Sequence, residues 1–214
     1  MSDHEKIKTA KYLSEEVRKC IIQGRIPCDS DIDQLFLYAF DKKKAVSDSC
    51  CAYLMEIAGI SDEIRNRLEH MMNTGNAHDR WLVTIHVSPR RCPEEFVRKI
   101  IMTAIKDKSK KVRLSGIQRA ISFKFNDFAP LIKERLLVET DEKCKENLEY
   151  GYFMMSQGYV IEKRESKGYW LRFNGWSAIA INEDFSNEDQ INEFVRKQYC
   201  AKISEQFKSI EWTK

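Results

Sequence analysis

Proline and glycine are scarce in this chain, four and eight among 214 residues. With 43% hydrophobic residues, that scarcity excludes a disordered chain and favours an ordered helical one. No stretch approaches the roughly 20 apolar residues that a membrane-spanning helix needs. The start, Met-Ser-Asp-His-Glu-Lys, runs into a polar amphipathic segment without the apolar core of a secretion signal. The expected address is the cytoplasm, with no membrane partner. Seven cysteines, at 20, 28, 50, 51, 92, 144 and 200, are odd in number and form no Cys-x-x-Cys pair. They read as small buried hydrophobes rather than as a disulfide framework. Zinc is not expected, because His70, His78 and His86 have no cysteine at ligand spacing.

Catalytic signatures are also missing. The sequence has no phosphate-cradling glycine loop, no Gly-x-Ser-x-Gly elbow and no His-Glu-x-x-His. Asp29, Asp31 and Asp33 imitate the start of a calcium loop, but Gln34 stands at its sixth position and Phe40 at its twelfth. A calcium loop needs glycine and a bidentate glutamate there, so helix capping accounts better for these aspartates. His78 and His86 have no carboxylate or nucleophile spaced to work with them, and read as packed or surface histidines. The expectation is a non-enzymatic protein without cofactor or metal.

What is present is a repeat. Steps of 32 residues give three apolar columns: Ile32, Ile64, Phe96 and Phe128; Phe36, Leu68, Ile100 and Ile132; Phe40, Met72, Ala104 and Leu136. Within each unit the spacing is i, i+4, i+8, one stripe of an α-helix. A second helix follows in each unit, with Ala52, Thr84, Gly116 and Leu148 in a mostly small column, as close packing prefers. Start signals flank both: Asp29-Ser30, Ser61, Pro93 and Asp127 for the leading helices, Ser47, Asp79, Ser109 and Thr140 for the trailing ones. The pattern predicts helix pairs at about 29–58, 61–88, 93–122 and 127–157. Such pairs bury their apolar stripes by stacking on one another. Residues 5–23, with Ile7, Leu13, Val17, Cys20 and Ile21 on one face, predict an N-terminal capping helix.

The run Asp107-Lys-Ser-Lys-Lys-Val112-Arg113 resembles the inter-helix turn of the HEAT repeat family. In that family an acid and an arginine six positions later, after a valine, form a ladder between neighbouring repeats. The resemblance implies that Asp107 holds Arg113 in such a ladder. Glu139 and Lys145 keep the spacing in the next unit, whereas Lys43 with Ser49 and Gly75 with Trp81 depart from it. The implied fold is a mainly α, HEAT-like superhelix of about four helical hairpins over residues 1–157.

Beyond Gln157 the period changes. Tyr159–Glu165, Tyr169–Phe173 and Trp176–Ile181, separated by Ser166-Lys-Gly and Asn174-Gly175, read as a three-stranded β-meander. A helix from Ser186 to about Phe207 follows, so residues 158–214 form either a cap or a small α+β unit. Alternation predicts Tyr169, Leu171 and Phe173 inward and Trp170 and Arg172 outward.

Charge is uneven. Residues 81–138 hold thirteen Lys and Arg against five Asp and Glu, while both flanks are mildly acidic. Arg90, Arg91, Arg98, Lys99, Lys106, Lys108, Lys110, Lys111 and Arg119 form a candidate basic patch for a polyanion or an acidic protein surface. Trp170, Arg172 and Trp176 are a candidate aromatic anchor for a protein partner. Solenoids suit macromolecular partners. The leading expectation is an immunity protein of bacterial type that neutralises a cognate toxin by direct binding. The alternative is a nucleic-acid-binding or DNA-repair protein, since some HEAT-like proteins of this size are DNA glycosylases with a basic groove. None of that family's groove residues is matched here.

Overall fold

The computed structural model describes residues 2–165, 167–174 and 178–208, and of Asp3 the backbone alone. The fold is mainly helical, with a small antiparallel sheet near the C-terminus followed by helix. The chain divides into two compact units, the boundary falling at Gly116 and Ile117.

The first unit opens with α1 (Asp3–Ile22) and continues with α2 (Asp29–Ala39), α3 (Lys44–Ala58), α4 (Asp62–Thr74), α5 (Ala77–His86) and α6 (Glu94–Ile105). It closes with the first residues of α7 (Lys110–Ser122). Local chemistry sets the ends. Ser2 and Glu5 close a reciprocal capping box on α1, Ser61 accepts the Ile64 N–H at α4, and Asn76 accepts those of His78 and Asp79 at α5. Acids stand in the first turn of α4 (Asp62, Glu63) and α6 (Glu94, Glu95), where the helix dipole favours them. After α1 the chain turns through Gly24 at φ +66°, a conformation that costs a side chain about 1 kcal/mol or more. The Gly24 N–H then donates to Ile21 O and the Arg25 N–H to Cys20 O, satisfying the last carbonyls.

The helices pack in two layers. Leading helices α4 and α6 touch each other, as do trailing helices α3 and α5, and α1 packs chiefly on α3. The first three rows of the repeat make the interior: Ile32 and Phe36, then Ile64, Leu68 and Met72, then Phe96, Ile100 and Ala104 are all buried. Phe40 is only half-buried, because α2 ends at Ala39. Gly116 is what brings α7 onto α6, since a Cβ there would lie 2.9 Å from both Ala104 Cβ and Ile105 N. One expectation is corrected on α1: its buried residues are Ala10, Leu13, Ser14 and Val17, while Ile7 is exposed. The packed stripe is rotated toward the small Ala10 and Ser14, which permit closer contact.

The second unit holds the remainder of α7, a 3-10 turn (Asn126–Phe128), α8 (Ala129–Val138) and α9 (Glu142–Ser156). Phe128 and Ile132, from the fourth row of the repeat, are buried and Leu136 is half-buried. Phe128 belongs to the 3-10 turn rather than to α8, whose first residues are Ala129 and Pro130. Strands β1 (Val160–Lys163), β2 (Tyr169–Arg172) and β3 (Ile179–Ile181) follow as an antiparallel meander in the order β1-β2-β3. Leu171 pairs with Ile161 on one side and Ile179 on the other. Tyr159, Leu171, Phe173 and Ile181 form a core with Ile191 and Val195 of α10 (Glu188–Gln198). The C-terminal helix is not continuous: α10 stops at Gln198 and, after Tyr199, α11 (Cys200–Gln206) starts anew. The Tyr199 ring turns inward, 6.0 Å from that of Phe173. Lys124 Nζ donates to Glu205 O at 2.8 Å and Asn126 Nδ2 to Gln206 O at 3.3 Å, tying the end of α11 to the α7–α8 connection. Trp176 and the Asn174-Gly175 turn fall at or within a stretch, 175–177, outside the described residues.

Candidate functional site

Short connections make successive helices of the first unit antiparallel. The inter-helix turns (40–43, 75–76, 106–109) therefore gather at one end of the unit and the inter-hairpin loops (23–28, 59–61, 87–93) at the other. Side-chain contacts agree. At the first end the His78 ring Nε2 is 3.4 Å from Asp41 O, and Lys6 Nζ donates to Asp41 Oδ2 at 2.9 Å. At the second, Cys92 Sγ donates to Met55 O and Arg91 Nε pairs with Glu56 Oε1 at 2.8 Å.

This arrangement divides the basic block. Arg90 and Arg91 lie in the loop before α6, and Lys106, Lys108, Lys110 and Lys111 lie beyond its far end, about 18 Å away along a 12-residue helix. Between them, on the side of α6, Arg98 pairs with Glu94 at 2.6 Å and Lys99 with Glu69. Lys99 and Glu69, with Asp62, Arg65 and Glu95, line a groove of mixed charge between α4 and α6. Arg119 lies in the second unit, half-buried, its guanidinium carbon 5.7 Å from the Phe123 ring centroid. Burial lowers its pKa from the ordinary value.

The turn end is organised by a ladder of buried acids. Arg80 meets Asp107 through two parallel bonds, Nε to Oδ2 at 2.6 Å and Nη2 to Oδ1 at 2.9 Å. Both side chains are about 95% buried, at 4% and 5% exposure. Arg80 Nη1 also donates to Gly75 O at 2.5 Å. The Asp107 carboxylate accepts the Ser109 N–H as well, just as Asp41 accepts that of Lys43. The expected Asp107–Arg113 pairing is thus corrected: Arg113 Nη1 donates to the backbone carbonyls of Asp107 and Lys108, while Arg80 holds the carboxylate. Lys6, Arg80 and Arg113 are each the fourth residue of their trailing-layer helices α1, α5 and α7. That shared position is the signal that a step of 32 residues missed, since it landed on Trp81 instead of Arg80 and on Lys43 instead of Asp41.

With Asp41 and Asp107 drawn inward, the lysines of the same turns face solvent. Lys42, Lys43, Lys44, Lys106, Lys108, Lys110 and Lys111 are all exposed. The Lys111 ammonium sits 3.2 Å from the centroid of the half-buried Trp81 ring, whose other neighbour is His78 at 5.9 Å.

In the second unit, Leu171 and Phe173 point into the core as the alternation predicts, and Tyr169 is half-buried against it. Trp170 and Arg172 lie on the opposite face, but neither stands free. Trp170 is half-buried with the Arg164 guanidinium 4.8 Å above its ring, and Arg172 Nε pairs with Glu162 Oε2 at 2.8 Å. Trp176 lies outside the described residues.

Asp29 and Asp31 stand in the first turn of α2, and Asp33 accepts a bond from Arg67 at 2.8 Å. Among the described residues no three His, Cys, Asp or Glu side chains converge as metal ligands, and no helix is long and apolar enough to cross a membrane. Cys50, Cys51, Cys92 and Cys144 are buried. Burial pushes the Cys50 thiol up to about 11 and that of Cys92 to about 12, with Cys51 also raised. Comparison with family models, with curated proteins and with solved structures finds no match to this chain.

Proposed function

We propose that this chain is a HEAT-like helical-repeat protein of the cytoplasm that works by binding another protein, as an immunity protein does when it covers the active surface of a cognate toxin. The observation that carries this reading is the two-layer packing of helical hairpins around a buried Arg80–Asp107 ladder. Such a stack presents side-by-side helices and a row of turns as extended surface. Extended surfaces of that kind suit macromolecules better than small substrates. The half-buried Trp170 beneath Arg164 offers a second contact of the aromatic–cation type found at interfaces.

Nucleic-acid binding along residues 90–119 has less behind it. A phosphate backbone requires a run of unneutralised cations. Here Arg91, Arg98 and Lys99 each face a carboxylate, and Arg90 lies at the opposite end of α6 from Lys106.

Co-expression with the product of the neighbouring reading frame tests the proposal. A stoichiometric complex that survives purification, together with relief of that product's toxicity, is the expected result. A chain that relieves no toxicity and instead shows salt-dependent retention on DNA, lost when Arg90, Arg91, Lys110 and Lys111 are reversed in charge, would replace it with the nucleic-acid reading.

A further inference from the structure

We infer that the turn end of the first unit is a docking surface for an acidic protein partner bearing two separate carboxylate clusters, one for Lys42 and Lys44, the other for Lys106, Lys108 and Lys111. This deepens the protein-binding reading and rests on it.

Two observations select the surface. All five lysines are exposed, and the acids of the two turns themselves, Asp41 and Asp107, are withdrawn; Asp48, on the exposed flank of α3, reaches Lys44 Nζ at 3.8 Å and leaves it 87% exposed. Asp41 is turned to Lys6 and to the Lys43 N–H, Asp107 to Arg80 and to the Ser109 N–H. Charges that would cancel in a random coil are therefore separated by the fold, the carboxylates inward and the ammonium groups outward. The resulting positive potential steers an acidic partner and accelerates its association.

Three more observations select a protein over a nucleic acid. The turn between the two clusters carries Gly75 and Asn76, with Asp79 in the next helical turn. The first and third hairpins are two packing steps apart, roughly 20 Å, so the clusters are two knobs separated by a gap, 73–79, that holds the acid Asp79 and no lysine or arginine. A continuous phosphate chain would cross that gap without counter-charge. The exposed cations here are all lysines, point charges that lack the planar fork with which arginine grips phosphate. Finally, the Trp81 face is covered by the Lys111 ammonium and is not offered to a base for stacking.

The test uses two synthetic probes on the full chain at about 0.05 M salt, where screening is weak. One is a single tetraglutamate peptide. The other joins two tetraglutamate blocks by about 14 Gly and Ser residues, whose root-mean-square span is roughly 20 Å. Linked binding at both clusters predicts that the second peptide binds at least about tenfold more tightly than the first. Lys106→Glu with Lys108→Glu removes that gain and leaves single-block affinity, and so does the milder Lys→Gln pair. Arg90→Glu, at the other end, leaves it intact. Equal affinity of the two peptides overturns the proposal, as does tighter binding of a 20-base-pair DNA duplex than of the linked peptide at the same salt. If the linked peptide fails but the co-expressed partner still purifies with the chain, the docking surface is wrong and protein binding stands.

Discussion

Replacing Asp107 with alanine removes the carboxylate from a guanidinium that water cannot reach. In the intact protein Arg80 spends two N–H groups on Asp107 and one on Gly75 O, at 4% side-chain exposure. After Asp107→Ala only the carbonyl remains, and an uncompensated charge stays buried between α5 and the α6–α7 turn. Such a loss costs about 3–5 kcal/mol, against roughly 5–15 kcal/mol for the stability of a whole domain. Exposed ion pairs on a protein surface are in general worth at most about 1 kcal/mol, so the two cases separate clearly. Urea unfolding followed by far-ultraviolet circular dichroism reads the difference. With a slope of ~1–3 kcal/mol per molar urea, the midpoint falls by ~1 M or more. The double variant Arg80→Met, Asp107→Leu removes the charge together with its partner and recovers most of the loss. An Asp107→Ala variant within about 1 kcal/mol of the parent, or a double variant no better than the single one, would refute the buried-charge reasoning.

Three other outcomes follow from the same structure. The bonds from Lys6 and the Lys43 N–H hold Asp41 below its ordinary pKa of 3.8, so its stabilisation is complete above that value and lost as pH falls through the lower, folded one; Asp41→Asn should flatten the acid limb of the stability curve, and an unchanged limb counts against the assignment. An aromatic disulfide reagent at mild alkaline pH should modify exposed Cys28 and Cys200 rapidly and half-buried Cys20 more slowly, leaving Cys50, Cys51, Cys92 and Cys144 protected until denaturant is added; early labelling of a fourth thiol contradicts the packing. Gly168 has φ +93° and a Cβ there would lie 2.1 Å from Ile181 O, so Gly168→Ala should cost about 1–3 kcal/mol from the backbone alone, visible as lost amide protection in β2 and β3.

Much of the helical framework was legible in the residues. The stripe of apolar side chains at i, i+4 and i+8 sets which face of each leading helix turns inward, and the caps and short polar connections set where each helix ends. These are local effects, so a linear pattern carries them: α2 with α3, α4 with α5, and α6 with α7 lie within a few residues of the expected pairs. The alternation that buries Leu171 and Phe173 is equally local.

Contacts between elements were decided elsewhere. The acid at Asp107 has a cation six positions later in Arg113, yet its carboxylate goes to Arg80, because the guanidinium that reaches it belongs to the neighbouring hairpin. The basic block looks continuous from Arg90 to Arg119, but antiparallel helices carry its members to opposite ends and set carboxylates from α3 and α4 against Arg91 and Lys99. Trp170 leaves the sheet on the predicted side and is then covered by Arg164. Periodicity along one helix follows from its own 3.6-residue turn, whereas the partner of a charge depends on which helix lies alongside and at what offset. That offset is fixed by packing, and it is what separates the buried acids from the exposed lysines at the turn end of the first unit.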